Sequence, residues 1–156
     1  MGFAEEMGIS VEMAARKLRY EWFEKICNEN GFDFIVVGHH LDDVLETFFL
    51  NLSRGTGIRG LSGIKAKAGR VIRPLLFASR KEIEAYAMEN NLDFRYDSSN
   101  DDIVYKRNNV RHKVLPLMEE LNPSFRLSLK KTINFLNQTE ELFLKKIEEL
   151  REELVS

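Results

Sequence analysis

Apolar residues recur along this chain with two different periods. Val11, Ala14, Ala15, Leu18, Trp22 and Ile26 step by threes and fours, the spacing of one helix face. That pattern predicts a helix to about Asn30, with Ser10 as its N-cap, Gly31 as its stop and these six residues as its buried stripe. Phe34–Val37 is a short apolar run that stops at Gly38, and Asp33–Val37 reads as a buried strand. Val44, Leu45, Phe48, Phe49 and Leu52 return to helical spacing, so a second helix opens at Asp42 or Asp43 with these side chains inward. Helix, strand and helix in that order suit an α/β fold, a parallel sheet covered by helices.

Residues 54–69 hold five of the nine glycines together with several basic residues, and predict a mobile, phosphate-facing loop. Val71-Ile72-Arg73-Pro74-Leu75-Leu76 reads as a short strand ended by proline. Ser79 and Glu82 form a capping box for a helix to about Asn90. Leu92–Tyr96 is expected to be extended and 97–102 to be a loop. A helix bearing Lys106, Arg107, Arg111, His112 and Lys113 follows, kinked or ended by Pro116. After Asn122-Pro123, one long helix is expected to reach Val155. Its seam, Leu129, Ile133, Leu136, Phe143, Ile147, Leu150 and Leu154, is heptad-like, with Glu140 at the missing position. Such a seam either docks on another domain or chain, or packs on its own domain.

Composition narrows the class. A chain of 156 residues is enough for one domain with a core, and 44% apolar and 31% charged content are ordinary for a globular protein. No apolar run approaches the roughly 18 residues that cross a bilayer, and the acidic start, Met-Gly-Phe-Ala-Glu-Glu, is unlike a secretory signal. Cys27 is the only cysteine, which excludes a disulfide framework. No membrane association and a cytoplasmic location are therefore expected. The net charge of −2 hides an asymmetry: residues 1–53 carry 4 Lys/Arg against 10 Asp/Glu, and residues 54–113 carry 13 against 7. A basic middle of this kind suits a polyanion partner for one face, or else a solvated mixed surface.

The densest chemistry lies where strand gives way to helix: His39, His40, Asp42 and Asp43, within five residues. Read as metal ligands they suggest a metallohydrolase, but adjacent residues seldom converge on one ion and His112 is the only other histidine. Read structurally, the aspartates are helix caps. Read as a nucleotide site, Asp43 and Thr47 share a helix face, where a carboxylate can hold Mg2+ against a triphosphate. Arg107 and Arg111 are also four apart, and paired guanidiniums clamp phosphates.

Gly38-His39-His40-Leu41-Asp42-Asp43-Val44-Leu45-Glu46-Thr47 resembles the GHHxDDxxET motif of N-type ATP pyrophosphatases, the PP-loop enzymes. Arg54-Gly55-Thr56-Gly57-Ile58-Arg59-Gly60-Leu61 resembles the RGTGxxGL that follows it in tRNA(Ile)-lysidine synthases. Ile72-Arg73-Pro74-Leu75-Leu76, Asp97-Ser98-Ser99-Asn100 and Arg107-Asn108-Asn109-Val110-Arg111-His112 are similar to the later blocks, and Ala14-Ala15-Arg16 with Arg19-Tyr20 to an AARxxRY helix. The resemblance spans about residues 8–122. The 2-thiocytidine synthetases share GHHxDDxxET but rely on paired cysteines that this chain lacks.

The resemblance implies a Rossmann-like (adenine nucleotide α-hydrolase-like) partial parallel sheet followed by a long helix. Residues 1–116 would be the C-terminal part of a PP-loop domain, and 117–156 a helical linker toward a further domain. It implies a carbon–nitrogen ligase that uses ATP and Mg2+ to replace the wobble cytidine of tRNA(Ile) with lysidine, from free L-lysine and a CAU anticodon. By resemblance Asp43, His40 and Arg107 would be catalytic, with Asp43 also holding the metal. Gly38, His39, Asp42 and Thr47 would line the ATP site. Arg54, Arg59, Arg73, Asn108, Arg111 and His112 would meet RNA or phosphate.

One departure matters: the family's SGGxDS phosphate loop is absent, since no Ser-Gly-Gly occurs in the sequence. The chain is therefore expected to be a fragment that is inactive alone. Its uncovered sheet edge and the 123–155 helix both offer routes to self-association. A catalytically inactive tRNA-binding or assembly module, or another PP-loop tRNA-modifying ATPase, is the alternative reading.

Overall fold

The computed structural model describes residues 2–94 and 105–155. They fall into two units: Met1–Val37 with Ala66–Pro74, and Gly38–Lys65 with Leu75–Ser156.

In the first unit a short helix α1 (Phe3–Glu6), which the pattern did not foretell, precedes α2 (Val11–Asn30). Ser10 caps α2 by accepting the Met13 N–H at 3.2 Å, and Gly31 stops it in the left-handed conformation. The expected stripe is buried only in part: Ala14 is buried and Ile26 half-buried, whereas Val11, Ala15, Leu18 and Trp22 are exposed, and Cys27, outside the stripe, is buried. Cys27 packs with Ile35 and Val71, flanked by Tyr20, Phe23 and Val37. Apolar residues at three- and four-residue steps fit either of two adjoining helix faces, and the second, with Tyr20 and Phe23, is the one packed on Ile35 and Val71.

Three strands of two residues each form the sheet, in the order β1 (Ile35–Val36), β3 (Val71–Ile72), β2 (Lys67–Ala68). β1 runs parallel to β3 with Ile35 opposite Val71, and β2 runs antiparallel to it with Lys67 opposite Ile72. The expected strands at 33–37 and 71–76 thus shrink to β-branched pairs, Ile35–Val36 and Val71–Ile72. Pro74, without an N–H, cannot extend β3. β2 lies inside the stretch expected to be a mobile loop. It is turned onto β3 by Gly69 and Arg70, with Gly69 at φ +58° in a two-residue hairpin.

In the second unit, α3 (Leu41–Leu52) buries Leu41, Val44 and Leu45, with Phe48 and Phe49 packed beside them; Leu52 is exposed. α4 (Ile58–Leu61) follows within the glycine-rich stretch. α5 (Arg80–Glu89) opens at the predicted capping box: Ser79 N–H donates to Glu82 at 2.7 Å, and Ser79 Oγ accepts the Glu82 N–H at 3.3 Å. Residues 92–94 carry no regular structure. The expected extension to Tyr96, the 97–102 loop and the Asp97-Ser98-Ser99-Asn100 block reach outside the described residues.

The basic helix is continuous in an unexpected way. α6 (Tyr105–Asn109) passes into a π-helical turn (Val110–Val114) and then α7 (Leu115–Leu121). Pro116 neither ends nor breaks it. Proline clashes with the carbonyl four residues back, here His112, and the wide turn holding that carbonyl relieves the clash. The last helix, α8 (Phe125–Val155), has the expected extent. Only its first half is covered: Leu129 and Ile133 join the α3 core with Val110 and Leu115, while Phe143, Ile147, Leu150 and Leu154 are exposed. No described helix is long and apolar enough to cross a membrane.

Candidate functional site

The start of α3 gathers the charged groups. His40 occupies its N-cap, and its backbone N–H donates to Asp43 Oδ2 at 3.0 Å. Asp43 is thereby fixed at the third helical position, with its other oxygen 3.8 Å from Arg107 Nη1 of α6. One turn on, Glu46 is fully buried and accepts a hydrogen bond from Arg111 Nε at 2.7 Å. Two blocks more than sixty residues apart, acidic on α3 and basic on α6 and its π turn, therefore meet pairwise. Glu46 Oε2, Thr47 Oγ1 and His40 Nδ1 are buried polar atoms with no hydrogen-bond partner among the described residues. Such atoms in a charged cluster mark a site that wants a polar ligand.

Asp42, adjacent to Asp43, does something different. Its Oδ2 accepts the Arg80 N–H at the start of α5 at 2.7 Å, and its Oδ1 pairs with Arg126 of α8. Arg126 in turn binds Glu119 of α7 at 2.6 Å. Sequence reasoning placed Asp42 among the ATP ligands. Here both oxygens are engaged by the protein, and the carboxylate ties α3, α5 and α8 together. Burial alone would raise its pKa, but the Arg80 amide, Arg126 and His40 hold it below the usual carboxylate range. Glu46 is shifted the other way, because burial, reinforced by Asp43, outweighs the opposing pull of Arg111 and Arg107. The neighbouring carboxylates are thus pushed apart, a feature of functional sites and of structural ion-pair networks alike.

The other sequence-predicted residues are more scattered. Arg54 and Arg59 are exposed on the glycine-rich segment, Gly38 and His112 are exposed, and His39, Thr47 and Asn108 are half-buried. Arg73 lies in the first unit and is buried, with its backbone N–H bonded to Ala66 O at 2.9 Å. Two functional-looking residues were not singled out from sequence. Glu46 was legible as the glutamate of the motif but not as the partner of Arg111. Arg126 gave no local signal at all, since its partner lies 84 positions away.

No cluster of three or more His, Cys, Asp or Glu among the described residues is arranged to hold a metal by itself. The metallohydrolase reading finds no ligand set there. The donors instead fit Mg2+, which takes one or two carboxylates and completes its shell with phosphate and water. Asp43 is held more loosely than Asp42 or Glu46: its Oδ2 accepts the His40 N–H at 3.0 Å, and its Oδ1 lies 3.8 Å from Arg107.

The profile of a family described as PP-loop domain matches residues 3–118. Curated relatives called tRNA(Ile)-lysidine synthase are similar over most of the chain. The one from Bacteroides thetaiotaomicron is 47% identical over 154 residues, covering 99% of this chain and 36% of the relative. That from Porphyromonas gingivalis is 46% identical over 153 residues, covering 97% and 34%. That from Thermosipho africanus is 45% identical over 123 residues, covering 79% and 29%. The chain thus spans about a third of the length of these relatives.

Proposed function

Because this chain belongs to the PP-loop domain family, we propose that its α3–α6 cluster is one wall of the ATP site of a tRNA(Ile)-lysidine synthase. The observation that carries the reading is the pairing of Asp43 with Arg107 and of Glu46 with Arg111, which joins the two blocks the resemblance assigns to ATP and phosphate. The names of the relatives supply the substrates: tRNA(Ile), and lysine as the amine.

In the proposed reaction the C2 oxygen of the wobble cytidine attacks the α-phosphate of ATP. A C2–O–P bond forms and pyrophosphate leaves. The ε-amine of lysine then attacks C2, gives up its proton and expels AMP. Charge accumulates on the phosphoryl oxygens, so fixed cations aimed at them supply most of the stabilisation.

Placement supports the following roles. Arg107 is half-buried and only 3.8 Å from Asp43, a loose pair that can turn to an α-phosphate. Arg111 is held from behind by Glu46, so its guanidinium presents a fixed face. Asp43 would hold Mg2+, which neutralises phosphate charge when bound, or take the proton of the lysine amine. His40, anchored at the N-cap, would contact phosphate. Thr47 Oγ1, buried without a partner, would accept or donate to the same ligand. Arg54 and Arg59 would approach the RNA backbone.

Hydrogen exchange with Mg2+-ATP tests this. Protection of amides 38–47, lost in Asp43→Asn and Arg107→Ala, is expected. Salt-sensitive tRNA binding with no nucleotide protection would overturn it and favour a tRNA-binding module that does no chemistry.

A further inference from the structure

The glycine-rich segment between α3 and the sheet was expected to be mobile, yet in the second unit it is fastened at three points. Asn51 Nδ2 of α3 donates to Gly60 O at 2.8 Å. Asn137 Nδ2 of α8 donates to Ser62 O at 3.1 Å, while Ser62 itself is fully buried with its Oγ bonded to Ile58 O at 2.8 Å. Glu140 of α8, only 2% exposed, receives Lys65 Nζ at 3.0 Å. Within the segment, a Cβ on Gly60 would lie 1.9 Å from Thr56 Oγ1, so any larger residue there would displace the Thr56 side chain.

Glu140 is the residue that interrupts the apolar seam of α8. A leucine there would continue the seam, and burying a carboxylate instead costs free energy unless it is paired. Among the described residues its ion pair is with this segment: Lys65 Nζ lies 3.0 Å from the carboxylate, and that pair, with attraction from Arg59, holds its carboxyl below the usual range. The one charge in the seam therefore serves the segment rather than the helix.

We propose that Glu140 and Asn137 are positioning residues: from the long helix they fix the pose in which Arg54 and Arg59 are offered to a nucleic-acid backbone. The inference rests on the reading of those arginines as RNA-facing. A phosphate contact requires a cation at a set distance and direction. Two exposed arginines on an untethered glycine-rich loop would lose conformational entropy on every encounter. The buried glutamate and the amide remove that loss in advance.

The test uses the 156-residue chain, a tRNA(Ile) transcript with a CAU anticodon, and the variants Glu140→Leu, Lys65→Met and Asn137→Ala. Glu140→Leu restores the seam, so its melting temperature should hold or rise. Amide exchange over 56–65 should nevertheless accelerate in all three, and tRNA affinity should fall. The slope of log affinity against log salt should flatten by about one phosphate contact's worth, ~0.7–0.9. Unchanged exchange over 56–65 in Glu140→Leu and Lys65→Met would overturn the proposal. So would faster exchange with tRNA affinity and salt slope intact. A control separates the underlying reading: if Arg54→Ala with Arg59→Ala leaves tRNA binding untouched, the RNA-facing role fails, while the exchange data still report whether Glu140 holds the loop.

Discussion

Asp42 and Asp43 are neighbours in one motif, yet truncating them should destabilise the fold to very different degrees. Asp42→Ala removes the acceptor of the Arg80 N–H, a 2.7 Å bond to a charged oxygen. Hydrogen bonds of that kind contribute about 1.5–3 kcal/mol. It also releases Arg126, which keeps Glu119, and because Arg126 is partly exposed that loss is discounted to about 0.5 kcal/mol. The sum is ~2–3.5 kcal/mol, which for a chain of this size lowers the melting temperature by roughly 5–12 °C. Asp43→Ala loses one N-cap bond, about 1 kcal/mol, and a 3.8 Å contact to a side chain that is 37% exposed, worth almost nothing. It should melt only about 2–4 °C lower. The pH dependence has a definite sign. The Asp42 carboxyl is held below its ordinary 3.8, so its contribution is complete above that pH and is lost as pH falls through the lowered value. Calorimetry at pH 7 should therefore separate the two variants, and the parent and Asp42→Ala should converge in acid. If the two variants melt alike at pH 7, or Asp43→Ala melts lower, the assignment of Asp42 to the frame is wrong.

The other expectations concern the site itself. Arg107→Ala should weaken Mg2+-ATP binding by about ten- to a hundredfold, the worth of one charged hydrogen bond, as read by isothermal titration; unchanged affinity would remove Arg107 from the phosphate site. For Glu46 the sign reverses. Its pKa is raised, so its contribution is full below its ordinary 4.5 and diminishes as pH rises through the raised value. The stability of Glu46→Gln relative to the parent should therefore climb between pH 4 and 8, and a difference independent of pH would contradict the burial argument.

What could be read from the chain was local. The Ser10, Gly31 and Ser79–Glu82 signals act over one turn, and each marks its helix end where expected. The acidic start of α3 and the Arg107/Arg111 spacing were visible for the same reason. The partners were not. Nothing near Asp42 announces Arg126, and nothing near Glu46 announces Arg111, because those pairings depend on how helices distant in sequence pack. α2 shows a second limit, since its apolar residues cover more of the helix than one face, and the side that is buried is the one packed on Ile35 and Val71. Glu140 shows a third. An interruption in a heptad was visible, but its meaning lay in Lys65, on a segment whose glycines suggested that nothing held it.

Mechanically, α8 is a cantilever. Its clamped end runs from Arg126 at Asp42 to Glu140 at Lys65, and beyond Glu140 a further 15 residues, about 22 Å at the rise of an α-helix, carry exposed leucines and Phe143. A beam loaded at its tip bears its greatest bending moment where the clamp ends. A load applied to the apolar arm near Leu154 would therefore deliver its torque at the Glu140–Lys65 pair, and the basic segment would feel it before the start of α3 does.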